Sequence, residues 1–297
     1  MISKIINKIR RKIRWINVNH NSSYKNSYIL TECEIDERYA SFYRKKYQSF
    51  LDNLPVYKDT HKYSNKVWWC WLQGEDQAPE LCRACLASIR QNLKNHEVTI
   101  ITEDNYSDYV EIPSFVLEKF HKGLLTRTQL SDILRLELLI KYGGTWIDSS
   151  VLVNGYNPNF FNKDLFVFKR LLAESTATVA SSWFITSEIG NPILRTTRDL
   201  LYEYLRENDE FDRYYQIHIF FAIATEKYST AWKKIPVYPN AMPHILQFEI
   251  DADYNKERFD EIKSFCSIQK LTQKRDFSGL SKQSNYHFII NHYLKGK

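Results

Sequence analysis

Apolar residues fall into two kinds of pattern along this chain. Short continuous runs, VWWCWL from Val67 and EVTIIT from Glu97, are rich in β-branched and aromatic residues and predict strands. Elsewhere the apolar positions recur at three and four residues, predicting helices over 79–93, opened by Pro79, and over 126–142, closed by Gly143 and Gly144. A further strand, TWIDSSV, follows the double glycine directly. Strand, helix, strand, helix, strand predicts an α/β fold with a mainly parallel central sheet and crossover helices. Ligands of such sheets bind beyond the carboxyl ends of the strands, where Trp71, Gln73, Gly74 and Asp148 fall. Helices near 191–207 and 214–228 continue the same domain.

The first residues follow a different rule. Ile2, Ile5, Ile6, Ile9, Ile13 and Ile16 recur at helical spacing, with Lys4, Lys8, Arg10, Arg11, Lys12 and Arg14 between them. That is a basic amphipathic helix over 1–20, suited to an anionic membrane surface through residues 1–17. The alternative is that its apolar stripe packs on the protein's own body or on a second subunit. The polar stretch NVNHNSSYKNS reads as a linker, and a helical pattern over 36–51 precedes the first strand. The expected division is therefore 1–20, an N-terminal helix; 21–65, linker and helical prelude; and 66–297, the α/β domain.

Charge sharpens this division. Lys and Arg exceed Asp and Glu by six, 41 against 35, and the acid-free segment 1–14 carries six cations, so the body is formally neutral. A nucleic-acid binder needs a basic stripe on its folded surface to displace counterions, and no nucleic-acid partner is expected. The five cysteines form no paired framework, and the Cys82–Cys85 spacing lacks a second pair at zinc-site distance, so buried reduced thiols are expected. With no apolar run of about 18 residues and no cleavable leader pattern, the expected location is the cytoplasm, peripheral to the inner face of the membrane. Seven Trp, twenty Tyr and seventeen Phe fill much of the core and also supply flat rings of the kind that stack on sugars and bases.

The common phosphate-loop, dinucleotide, zinc-protease and serine-hydrolase motifs are absent from the sequence. What remains is SDILR at 131–135, GGTWIDSS at 143–150, the aromatic strand end at 67–74 and KLTQK at 270–274. Each answers a need of sugar transfer from a nucleotide diphosphate. A leaving diphosphate gains negative charge, and a divalent cation held by a carboxylate at a strand end, Asp148, would stabilise it. Gly144 permits close backbone approach of a ligand, although a glycine there also simply ends a helix. Asp132 and Arg135 share a helix face among leucines, and two charges in such a place suit the binding of vicinal hydroxyls better than an exposed ion pair.

These residues resemble the capsular polysaccharide synthesis glycosyltransferases, which are related to DXD-containing mannosyltransferase-like and clostridial-toxin-like sugar transferases of the GT-A fold. The likeness is carried by VWWCWLQGEDQAPELCRACLASIRQN, LSDILRLELLIKYGGTWIDSSVLV, SSWFITSEIGNPIL and KLTQK, and spans about four-fifths of the chain. It implies a GT-A-like fold with an N-terminal helical extension. The implied activity is transfer of a sugar, with retained configuration, from a nucleotide-diphosphate donor such as a UDP-sugar. The implied acceptor is a glycan, typically lipid-linked, in capsule or surface polysaccharide synthesis, and the implied cofactor is Mn2+ or Mg2+. Carried over by position, Trp71 would stack on the base beside Gln73, Asp132 and Arg135 would contact the donor sugar, and Asp148 would bind ribose and metal. Ser150 stands where the second DXD carboxylate would be. Lys274 would meet the diphosphate, Ser182 would present a polar group to the transferred sugar, and His218 would line the acceptor side unless it simply packs in the core. Two rival functions share some of these features: a sugar nucleotidyltransferase, which should carry a Gly-rich loop after its first strand, and a noncatalytic glycan-binding protein.

Overall fold

The computed structural model describes residues 9–13, 28–169 and 176–296. Most of the expected helix over 1–20, and the whole of the linker stretch NVNHNSSYKNS, lie outside the described residues; 9–13 are helical. The chain then forms helix α1 (Tyr28–Lys46), strand β1 (Lys66–Cys70), helix α2 (Glu80–Asn92), strand β2 (Glu97–Ile101), helix α3 (Arg127–Tyr142) and strand β3 (Gly144–Ile147). Strands β4 (Val151–Val153), β5 (Leu165–Lys169) and β6 (Ala180–Ser187), helices α4 (Pro192–Glu207) and α5 (Gln216–Lys227), strand β7 (Ile268–Lys270) and helix α6 (Asn285–Leu294) follow.

The central sheet has the order β2-β1-β3-β6-β5. β1 runs parallel to β2 and β3, and β6 runs antiparallel to both β3 and β5. Four of the five strands therefore share one direction, and the architecture is the mainly parallel, GT-A-like α/β fold expected. The reversed strand β6 was not foreseen. Its sequence, ASSWFITS, is buried at all but one position, as its neighbours are, and nothing in it marks the direction in which it runs.

Central strands are buried on both faces, which is why they read as continuous apolar runs. In β1, Trp68 and Cys70 enter one core with Leu130, Ile133, Leu134 and Trp146, while Val67 and Trp69 enter another with Cys82, Leu86 and Ile147. Helix α1 closes the first core, where Tyr43 meets Tyr204 edge-on at 5.7 Å and Phe220 at 5.2 Å.

Helix α3 delivers the chain to the site, and both of its ends are specified. Thr126 and Gln129 form a capping box, each side chain accepting from the other's backbone N–H, at 3.2 and 2.8 Å. At the far end Gly143 has φ of 64° and Gly144 has φ of 87°, a region that side-chain-bearing residues avoid. A Cβ on Gly144 would lie 2.3 Å from the Lys66 carbonyl oxygen.

The expected strand TWIDSSV divides in two. β3 stops at Ile147, the Asp148 amide donates to the Trp183 carbonyl at 2.9 Å, and a turn follows. β4 then leaves the sheet and pairs antiparallel with β7, Val151 opposite Lys270. This turn and ribbon bring residues 148–150 and 270–274 to one place.

Candidate functional site

A cleft of about 600 Å³ opens at the carboxyl ends of β1 and β3. One wall is the segment leaving β1, including Trp71 and Gln73; the floor is Arg135, Trp146 and Asp148; the opposite wall is Lys270, Thr272 and Lys274. Its size is that of a small-molecule site.

The floor is a chain of charges. Arg135, with a side chain only 4% exposed, donates from Nη1 to Asp132 Oδ1 at 2.8 Å and from Nη2 to Asp148 Oδ1 at 3.0 Å. Its guanidinium lies 4.9 Å from the centre of the Trp146 ring, and Trp146 Nε1 donates to the same Asp148 oxygen at 2.8 Å. Lys270 Nζ lies 3.4 Å from Asp148 Oδ2 and donates to Ser150 Oγ at 2.7 Å. The two carboxylates respond in opposite ways. Burial pushes Asp132 up to about 6; Arg135 opposes this and the charge of Asp148 adds to it. Burial pushes on Asp148 too, but the charges of Lys270 and Arg135 and the bonds from Trp146 and Lys270 together outweigh it and hold that carboxyl below its ordinary range. Asp148 is therefore the fixed anion of the site and Asp132 the one near its titration point.

Trp71, Gln73, Arg135, Asp148, Ser150 and Lys274 line the cleft, and Asp132 stands behind it on Arg135. Lys274 is exposed, its Nζ 5.7 Å from the centre of the Tyr214 ring. Ser182 lies on β6 next to Trp183, whose carbonyl takes the Asp148 amide, but it is not part of the cleft lining. His218, half-buried on α5, meets the Tyr215 ring edge-on at 5.1 Å, and it is Tyr215 that reaches the cleft.

Gly144 requires a correction. It lies at the start of β3, and the cleft is at that strand's other end. Its bare Cα serves the close passage of β1, not a ligand. Lys270 was the residue that sequence reasoning missed. KLTQK offers two lysines four apart, and choosing between them needed the β4–β7 register, which three-residue strands do not announce.

The metal expected at Asp148 and Ser150 also fails a test of fit. Hard divalent cations take several oxygen ligands with net negative charge. The protein offers one carboxylate there, already bonded to one cation and facing a second, while Ser150 Oγ accepts from Lys270. The cleft lining carries Arg127, Arg135, Lys270 and Lys274 against the single acid Asp148. Among the described residues, the group able to offer three metal-ligand atoms is His61, Asp164 and Glu188, all within 4.8 Å of one another. Asp164 precedes β5 and Glu188 follows β6, at the end of the sheet away from the cleft. Glu188 Oε2 accepts from the Thr60 amide at 2.8 Å and from the His61 amide, so the group also ties the segment before β1 to the sheet.

Cys70, Cys82, Cys85 and Cys266 are buried, and burial raises their thiols. No helix among the described residues is long and apolar enough to cross a membrane.

Comparison with known proteins adds the following. No curated protein matches the chain. A solved structure described as "PaToxG Glycosyltransferase" is similar at 14% identity and a TM-score of 0.42, covering 88% of this chain and 97% of that one. A transferase mutant with two Cys→Ser substitutions is similar at 10% identity and a TM-score of 0.34, covering 61% of this chain and 89% of that one. The family described as "Capsular polysaccharide synthesis protein" matches residues 19–290. That match spans almost the whole chain, β1 to β7 and the cleft included, and the chain belongs to the capsular polysaccharide synthesis protein family.

Proposed function

We propose that this protein is a glycosyltransferase that moves a sugar from a nucleotide-diphosphate donor, a UDP-sugar, onto a glycan acceptor of a capsule or other surface polysaccharide, with retention of configuration. The observation that carries the reading is the Asp132–Arg135–Asp148 chain of ion pairs under a cleft whose other charged lining residues, Arg127, Lys270 and Lys274, are cationic. Buried carboxylate and guanidinium pairs suit sugar hydroxyls, and a cationic wall suits a diphosphate. Trp71 provides a ring for the base at the mouth of the same cleft.

In this reading 66–297 is the transferase domain, with Ser182 toward the transferred sugar and His218 toward the acceptor. The expectation of manganese or magnesium at Asp148 and Ser150 is not carried forward, because Lys270 stands between them. Residues 1–17 hold the enzyme on the inner face of the membrane, next to a lipid-linked acceptor. Ile9 and Ile13 support this, being 52% and 53% exposed, while Arg11 is bonded to Glu210 and to the Phe211 carbonyl. The apolar side of this turn thus faces away from the body.

Calorimetric titration with nucleotide sugars and with the bare nucleoside diphosphates tests the reading. Asp132→Ala and Arg135→Ala should weaken the intact donor at least about 10-fold more than the bare diphosphate, the loss of roughly one charge-assisted hydrogen bond. Equal losses on both ligands, or no binding of any nucleotide sugar by the wild type, would remove the assignment.

A further inference from the structure

We propose that the ammonium of Lys270, and not a divalent cation held by the protein, is the charge that stabilises the diphosphate as it departs. The inference rests on the transferase reading above.

Four observations carry it. Lys270 ends β7 opposite Val151, so the β4–β7 ribbon sets its backbone, and its side chain is only 18% exposed. Its Nζ sits between Asp148 Oδ2 and Ser150 Oγ, the two groups that a DXD-type site would turn toward a metal. The cleft lining has four cations and one carboxylate; Arg127 pairs with Glu103 and Arg135 with Asp132 behind the lining, which leaves Lys270 and Lys274 as the positive surplus that attracts a diphosphate. Asp148, for its part, is already bonded to Arg135 and Trp146 through its other oxygen, so it can orient Lys270 without needing a metal to balance it.

The chemistry balances with the residues present. The bond between the anomeric carbon and the β-phosphate oxygen breaks, and its electron pair stays on that oxygen. The acceptor hydroxyl oxygen bonds the same carbon, and its proton passes to the departing diphosphate. Lys270 remains an ammonium throughout. It donates hydrogen bonds to the phosphate oxygens, and those bonds strengthen as charge grows there, which is the condition for lowering the barrier. Thr272 and Lys274, two and four residues further along the same wall, extend the anion-binding surface.

The test is turnover of the full-length chain with a nucleotide sugar that it binds, each variant first checked for an unchanged melting temperature. Wild-type donor hydrolysis and transfer should persist in excess chelator. Lys270→Ala should lower kcat by about 100- to 1,000-fold, as expected for losing one preorganised donor to developing charge. Lys270→Arg should retain most of the rate, and methylammonium should restore part of it to Lys270→Ala, which a merely structural role would not allow. Loss of wild-type turnover in chelator with recovery on added manganese would overturn the inference while leaving the transferase reading standing. Turnover of Lys270→Ala within a few-fold of wild type would overturn it as well. A wild type that neither binds nor turns over any nucleotide sugar would remove the transferase reading and this inference together.

Discussion

Replacing Asp132 with Asn should make the protein more stable at pH 7.5 while damaging its use of a sugar donor. The Asp132 side chain is 13% exposed and bonded to Arg135, yet burial and the nearby Asp148 charge push its pKa up to about 6, from an ordinary value of 3.8. A carboxyl that is raised on folding is one the fold prefers protonated. Between about pH 4 and pH 6 the native state binds more protons than the unfolded chain, so this group's contribution to stability falls as pH rises through that window and stays low above it. Two pKa units at about 1.4 kcal/mol each set an upper bound near 3 kcal/mol at neutral pH. Asn keeps an oxygen for Arg135 Nη1 and cannot ionise, but the bond is no longer charge-assisted, which takes back about 1 kcal/mol. The net gain expected is about 1–2 kcal/mol at pH 7.5 and close to none at pH 4, where the wild-type carboxyl is itself mostly neutral. Urea unfolding of both proteins at the two pH values measures this, provided that the slopes agree. An Asp132→Asn protein less stable than wild type at pH 7.5, or offset equally at both pH values, would refute the argument. Its affinity for intact donor should fall in parallel, since a charge kept at a cost to stability is one retained for a ligand.

Three other perturbations have definite outcomes. Asp148→Asn should reduce donor hydrolysis by at least about 100-fold with the fold retained, because it releases Lys270 and Arg135 from the carboxylate that orients them; melting curves and initial rates decide it. Gly144→Ala should destabilise by about 3 kcal/mol or more, since a Cβ would meet the Lys66 carbonyl at 2.3 Å at a φ of 87°, whereas soluble protein that remains should bind donor normally. Full-length protein should float with anionic liposomes at low salt and be released by high salt, and a chain starting at Tyr28 should not float; equal flotation would show that residues 1–17 hold no membrane contact.

Much of the fold could be read from local patterns. The run VWWCWL was legible because a strand buried on both faces has no polar alternation to maintain, and Trp68 and Trp69 do enter opposite cores. Helix α3 was legible at both ends, through Thr126 with Gln129 and through the double glycine. What escaped was pairing at a distance. Nothing within ASSWFITS says that it runs against β3, and nothing in IQK says that it pairs with VLV outside the main sheet. Register and direction are set by what the chain does elsewhere, so the reversed β6 and the β4–β7 ribbon had no local signal.

The same distinction explains the site. Asp132, Arg135 and Asp148 were legible because their spacing on one helix and the next strand end fixes their meeting within a single local unit, and the bonds at 2.8 and 3.0 Å realise it. The metal expectation took Asp148 and Ser150 as a self-contained pair, whereas Lys270, which donates to Ser150, arrives 120 positions later on β7. Sequence motifs report what a site could hold, and a charge that enters from a distant strand changes that range. A carboxylate joined by further oxygen ligands, with no cation near it, suits a metal ion. The same carboxylate between Arg135 and Lys270 instead fixes two positive groups in place, ready for a ligand that carries the negative charge itself.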